Sequence, residues 1–246
     1  MAHMNIKSFL IAIVVLVALG AGAFFVKNWA GEQRPENQNT AQGMLIQDKT
    51  ITDNTKPLKI SITYPFIQGH DDFNRKAEGV IMNELADFKK NALDNDAAVK
   101  ATSPQDYAKY PREYELTISY DKGEVDENIA SIVYSVYVDT GGAHPNGYYI
   151  SLNYDLKNNK EIALADVFGN QPDYLQKVSA YCVTDLTKQV TERMGNTDGT
   201  WIKDGAGPTS ENYSVFMVTN NSLIFYFSPY QIAPYVAGDF KVTMPR

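Results

Sequence analysis

Apolar and polar residues alternate or recur along this chain in two clear rhythms. Leu58, Ile60, Ile62 and Tyr64 alternate with polar residues, which predicts a strand with one buried face. Phe73, Ala77, Ile81, Leu85 and Phe88 then recur at helical spacing, and Asp71-Asp72 place carboxylates where a helix starts and its free N–H groups need partners. Strands follow over Tyr114 to Tyr120 and Ile129 to Val138, around a turn near Asp121-Lys122-Gly123, and again over Tyr148 to Leu156. Lys157 to Lys160 turns the chain into the segment Glu161 to Leu164. Pro172 suits the first turn of a second helix, whose apolar face is Leu175, Val178, Cys182, Leu186 and Val190 and which ends near Gly195. Ser214 to Val218 and Leu223 to Phe227 flank Thr219-Asn220-Asn221-Ser222 as a hairpin, and Phe240 to Met244 supplies a last strand. Two long helices and about seven strands predict an α+β fold, with both helices packed on a largely antiparallel sheet of open strand order.

The N-terminus carries a different signal. Phe9 to Val26 is an uncharged, mostly apolar run near the lower limit for crossing a bilayer. Lys7 ahead of it puts the short N-terminus on the cytoplasmic side. Ala21-Gly22-Ala23 would also fit a signal-peptidase site, but the apolar run continues through Val26, which favours an uncleaved single-pass anchor over residues 1–30. Either way the remainder is expected outside the cytoplasm, as a secreted protein if cleavage occurs. Residues 31–45 are polar and nearly free of aliphatic side chains, so they read as a linker, spanning about 20 Å as a coil.

Charge narrows the partners. The chain carries −7, and with Lys7 and Lys27 but no acids before residue 31, the exported part carries −9. Such a surface disfavours nucleic acid and suits a basic partner. Cys182 has no second cysteine to pair with, and its place on an apolar helix face makes it a core residue.

The segment with the most tightly constrained backbone is Asp139-Thr140-Gly141-Gly142-Ala143-His144-Pro145-Asn146-Gly147, between two predicted strands. Asp139-Thr140-Gly141 after a strand fits an aspartic-protease loop, but that chemistry needs a second carboxylate and the motif occurs once, so Asp139 reads better as a strand-end turn accepting backbone N–H bonds. His144 could serve as a base or a metal ligand, and His70-Asp71-Asp72 carries ligand-type residues. Neither has the partner residues such chemistry needs, and a structural role is the preferred reading of both. No catalytic constellation, metal site or cofactor is expected. Sixteen tyrosines include Tyr226, Tyr230 and Tyr235 near Pro229 and Pro234. Tyr230 and Tyr235 either offer a binding surface or pin a proline-rooted loop.

Three segments together resemble a known family: the loop Asp139 to Asn146, the stretch Leu152 to Leu156 running on to Asp166-Val167-Phe168, and Phe227-Ser228-Pro229-Tyr230-Gln231-Ile232-Ala233-Pro234-Tyr235. They are similar to the paired bacterial domains of unknown function types 4163 and 3298, which would occupy residues 46–146 and 147–246 and pack as one unit. The resemblance implies an exported α+β domain. Such regions occur in the anti-sigma-V factor, as a lysozyme sensor, and ahead of the catalytic domain in a peptidoglycan deacetylase. The eight residues before the apolar run and the end at Arg246 lead us to expect neither a sigma-binding segment nor a deacetylase domain in this chain. The expected function is therefore a membrane-anchored binding or sensor module of the bacterial envelope, taking a lysozyme-like protein or peptidoglycan through Asp139, Gly141, Gly142, His144, Asn146, Tyr230 and Tyr235. The alternatives are a peptidoglycan-acting enzyme or enzyme accessory using Asp139 and His144, and a structural subunit of an envelope complex.

Overall fold

The computed structural model describes residues 46–169, 171–195 and 199–246. The proposed anchor and the linker over 31–45 lie outside these residues. Among the described residues, no helix is long and apolar enough to cross a membrane.

The first sheet is built from β1 (Ile46–Asp53), β2 (Leu58–Ile67), β3 (Tyr114–Val125), β4 (Ile129–Asp139), β5 (Asn146–Asp155) and β6 (Lys160–Glu161), in that spatial order. All neighbouring pairs are antiparallel except β2 and β3, which run parallel because the helical crossover α1 (Asp71–Thr102) and α2 (Pro104–Lys109) joins them. The inward residues Ile60, Ile62, Leu116, Ile118, Ile132, Tyr134 and Leu152 close a core against Phe73, Ala77, Ile81, Phe88 and Ala92 of α1. The predicted helical stripe is thus the buried one, with Leu85 at its margin.

A second lobe follows. Helices α3 (Leu164–Val167), α4 (Tyr174–Met194) and α5 (Thr200–Gly205) precede a separate antiparallel sheet of β7 (Phe216–Val218), β8 (Ser222–Phe227) and β9 (Phe240–Pro245). Val178, Cys182, Leu186 and Val190 of α4 pack onto Phe225, Phe227, Phe240 and Val242. The fold class is therefore α+β as expected, but the strands form two sheets with one long helix on each, not a single sheet carrying both. β7 is short, and its free edge turns toward the first sheet instead of extending it. The start of β5 at Asn146 pairs with Val138 of β4, so both strands flanking residue 146 belong to the first sheet.

Three local expectations are corrected by the same geometry. Asp121-Lys122-Gly123 is strand, not turn; the chain reverses at residues 126–128, where the Asp126 carboxylate accepts the N–H groups of Asn128 and Ile129. Gly123 is required by packing: a Cβ there would lie 2.1 Å from the Val218 carbonyl oxygen. At the start of α1 the cap position is His70, without a side-chain cap bond, and Asp72 pairs with Arg75. The turn is fixed instead by Asn74, whose amide accepts from Ile67 N–H and donates to Ile67 C=O, both at 2.8 Å. The second long helix begins at Tyr174, two residues after Pro172.

Two kinds of contact hold the lobes together. Val133 and Tyr149 of the first sheet pack on Met217 and Tyr226 of the second. Beneath them lies a buried polar relay. Val218 N–H donates to Ser131 Oγ (2.8 Å), Ser131 donates to Asn153 Oδ1 (2.6 Å), and Asn153 Nδ2 donates to the Phe216 carbonyl (2.9 Å). The relay satisfies the outward backbone groups of edge strand β7, which would otherwise be buried without partners.

Candidate functional site

The constrained loop between β4 and β5 forms one wall of a cleft of about 340 Å³. Thr140, Gly142, His144 and Asn146 line it from the loop side. The facing wall is α1, where Glu84, Asp87 and Asn91 fall one turn apart beside the buried stripe, so the apolar face that packs the helix also aims these polar groups. Phe88, Leu116, Val138 and Tyr148 complete the lining, Phe88 and Leu116 being buried core residues.

The loop is held from several directions. Asp139 Oδ1 accepts Gly141 N–H at 2.8 Å, the strand-end turn expected of it. The Thr140 carbonyl accepts from Asn95 Nδ2 of α1 (2.7 Å), and the Gly141 carbonyl accepts from Arg112 (3.0 Å). Gly141 has φ +81°, and a Cβ there would lie 2.9 Å from the buried ring of Tyr114, so both conformation and space require glycine.

Two separate sequence segments meet at His144. Its Nδ1 lies 2.8 Å from the Pro145 carbonyl, which only accepts, so Nδ1 carries a proton. In the neutral ring Nε2 is then an acceptor and takes the Tyr230 hydroxyl at 3.1 Å. The ring of Tyr235 stacks on His144 with centroids 4.0 Å apart, and its hydroxyl donates to the Pro145 carbonyl at 2.9 Å. Tyr230 lies 5.4 Å from Tyr235 between centroids and is held at φ +71°, a backbone conformation uncommon for a non-glycine residue. The loop carrying Tyr230 is pinned by Gln231, whose amide donates to the carbonyls of Gly205 (3.0 Å) and Asn212 (3.1 Å). Tyr230, His144 and Tyr235 thus form a three-ring clasp between the lobes.

Of the seven residues singled out in the sequence, Gly142, His144 and Asn146 line the cleft, Tyr230 and Tyr235 clasp its rim through His144, and Asp139 and Gly141 shape the loop. The pattern missed Glu84, Asp87, Asn91 and Tyr148. The first three occupy the helical surface next to the apolar stripe, a signal that exists in the sequence but looks like ordinary solvent-facing polarity. Tyr148 donates to Glu84; burial first, then that carboxylate, pushes its phenol well above its ordinary value, so it remains a protonated donor. Among the described residues no group of three or more His, Cys, Asp or Glu side chains gathers as a metal site. The cleft can accept hydrogen bonds through two carboxylates and exchange them through two amides, while both ring nitrogens of His144 are engaged by Pro145 and Tyr230.

Fold and site together define a two-lobed α+β domain with a polar cleft beside the lobe junction. Comparison with known proteins gives it relatives. Residues 165–246 match the model of the family of unknown function DUF3298, and residues 51–147 match the model described as Deacetylase PdaC. The expected likeness to a type 3298 domain and to a deacetylase-associated region is therefore found, the latter under the PdaC description and not as type 4163. The chain is 23% identical over 244 residues to the peptidoglycan-N-acetylmuramic acid deacetylase PdaC of Bacillus subtilis, covering 98% of this chain but 49% of that protein. It thus spans about half the length of that relative. It is 28% identical to the immunogenic protein MPT64 of Mycobacterium tuberculosis, covering 99% of this chain and 96% of that one, and 27% identical to the esterase Rv3036c of the same species over 52% and 53%. A solved DUF3298 family member from Bacteroides fragilis superposes with a TM-score of 0.51 at 18% identity, covering 82% and 88% of the two chains, which establishes likeness of fold.

Proposed function

We propose that this chain is an extracytoplasmic binding module of the bacterial cell envelope, tethered by its N-terminal apolar segment, and that the α1–loop cleft takes a fragment of cell-wall glycan. The observation that carries this reading is the cleft itself. Its volume lies within the ~300–1,000 Å³ of small-ligand sites, and its polar groups converge from two elements. Hydroxyl and amide groups of an amino sugar match the acceptors Glu84 and Asp87 and the amides Asn91 and Asn146. A cell-wall role is supported by the peptidoglycan deacetylase among the relatives. A basic lysozyme-like protein is the other ligand that the overall negative charge would suit. The test is calorimetry of the full chain in detergent with soluble peptidoglycan fragments and with a lysozyme. Fragment binding that Asp87→Asn or Asn91→Leu weakens supports the reading; heat from lysozyme alone, unaffected by those changes, replaces it with a protein sensor.

A second reading is hydrolysis of an acetyl or other ester group, favoured by the names deacetylase and esterase among the relatives. His144 would act as base at the cleft mouth, where Nε2 presents a lone pair now held by Tyr230. Turnover of acetylated peptidoglycan that His144→Ala abolishes while binding persists would establish it; no turnover by the wild-type chain removes it.

A further inference from the structure

The clasp opens onto a second surface. Tyr137 (41% exposed), Tyr230 (52%) and Val236 (81%) are among the exposed large hydrophobic residues; Tyr235, 5.4 Å from Tyr230 between centroids, donates to the Pro145 carbonyl two residues before Gly147, the cross-strand partner of Tyr137. They adjoin the half of the first sheet's outer face that the second lobe leaves uncovered. Across that half the register aligns Thr52, Ser61, Thr117 and Tyr137 in one row, and Thr50, Thr63, Ser119 and Ser135 in the next. Neither row contains a charged side chain, although about a fifth of the chain is charged. Along the strands the rows are bordered on one side by Lys59 and Glu115, paired at 3.1 Å, and by Asp139, whose carboxylate accepts the Gly141 N–H, and on the other side by Asp48 and Asp121. The two rows therefore offer an aromatic ring and donor and acceptor hydroxyls, and carry no charge of their own. Tyr230 is kept exposed in spite of its left-handed backbone, and its hydroxyl and neighbours fix it before any ligand arrives.

From this we infer that the Tyr137–Tyr230–Tyr235 patch and the adjoining hydroxyl rows bind an uncharged glycan strand. A pyranose ring has an apolar face of axial C–H bonds that packs on tyrosine, and equatorial hydroxyls that hydrogen-bond in the ring plane, the two complements this surface supplies. Charge matching selects the occupant: a basic protein finds no carboxylate free on these rows, and a polyanion finds no free cation. The inference rests on the reading that the chain binds wall glycan, but places an extended strand outside the cleft.

The experiment uses the full chain in detergent and a hexamer of N-acetylglucosamine as probe, by calorimetry, with thermal unfolding to verify that each variant folds. Tyr137→Ala weakens hexamer binding about tenfold, equivalent to ~1.4 kcal/mol, while Tyr137→Phe, which keeps the ring, stays within about twofold. Ser61→Glu, a charge placed at an exposed position in the row, also weakens it, and raised salt leaves wild-type binding unchanged. Hexamer binding that survives Tyr137→Ala and Ser61→Glu but is lost on Asp87→Asn overturns the inference and leaves the cleft reading standing. Wall-fragment binding in the cleft with no affinity for the hexamer does the same. Absence of both overturns the two together.

Discussion

Replacing Asn153 with leucine tests whether the two lobes are one cooperative structure. Asn153 is 4% exposed and Ser131 fully buried, and together they connect β4 and β5 to the free edge of β7 through three hydrogen bonds of 2.6–2.9 Å. Leucine keeps the volume but removes the acceptor of Ser131 and the donor to the Phe216 carbonyl. Two buried bonds are lost, and the Phe216 carbonyl is left buried without the amide that satisfied it. At ~1 kcal/mol for each bond and ~1–3 kcal/mol for the orphaned carbonyl, with partial relaxation, the expected cost is about 2–4 kcal/mol. For a folded part of this size that lowers Tm by about 4–16 °C. Urea unfolding of the wild type, Asn153→Leu, Ser131→Ala and the double variant measures the cost and the coupling. The single changes should be strongly non-additive, the double variant costing much less than their sum, because each removes the same relay. A loss below ~0.5 kcal/mol, or simple additivity, would show that the relay does not secure the lobes. Two separate transitions in the wild type would refute the cooperative reading itself.

Other outcomes follow from single residues. Gly141→Ala forces a side chain into the left-handed region against Tyr114, costing about 1–2 kcal/mol and weakening cleft binding more than stability alone explains, measured by unfolding and calorimetry together. Gly123→Ala pushes β3 away from the Val218 carbonyl and should destabilise the junction, seen as a lowered Tm, and weaken cleft binding along with it. Cys182, fully buried with its thiol pushed up to about 12 by burial and the nearby Asp185, should resist iodoacetamide at neutral pH until the chain unfolds; mass spectrometry of native and urea-treated protein reads this. For Asp96, burial raises the carboxyl, but hydrogen bonds from Lys100 and Tyr107 outweigh it and hold the group below its ordinary value. Its contribution is therefore present above the unfolded pKa of ~3.9 and lost as pH falls, so wild-type stability should decline from about pH 5 to pH 2 more steeply than that of Asp96→Asn.

The elements were legible where one face of each is buried. Ile60, Ile62 and Tyr64 in β2, Phe73 to Phe88 in α1 and Val178 to Val190 in α4 all sit where their periodicity puts them. Gly123 misled because glycine signals a turn, whereas here it admits the backbone of a strand nearly a hundred residues away, a contact with no local trace. The split into two sheets was hidden for the same reason: Ser131 and Asn153 look like the polar residues of a solvated strand, and only the position of β7 makes them buried partners. β1 escaped notice because its residues are half-exposed at a sheet edge and carry little apolar contrast.

The candidate site follows the same division. Within the loop of residues 139–147, constraint was visible residue by residue, since glycine, proline and an Asx turn each restrict the backbone locally. That His144 meets Tyr230 and Tyr235 is a property of two lobes docking, and it explains why both segments carry strong local signatures although neither encloses a site alone. The loop carrying Tyr230 is anchored through Gln231 to α5, and the loop carrying His144 is anchored through Asn95 to α1. A ligand that moves His144 must therefore work against hydrogen bonds in both lobes. The lobe junction and the cleft wall are then one mechanical unit, and a change that loosens the docking, such as Asn153→Leu, should lower affinity at the cleft even though Asn153 does not line it.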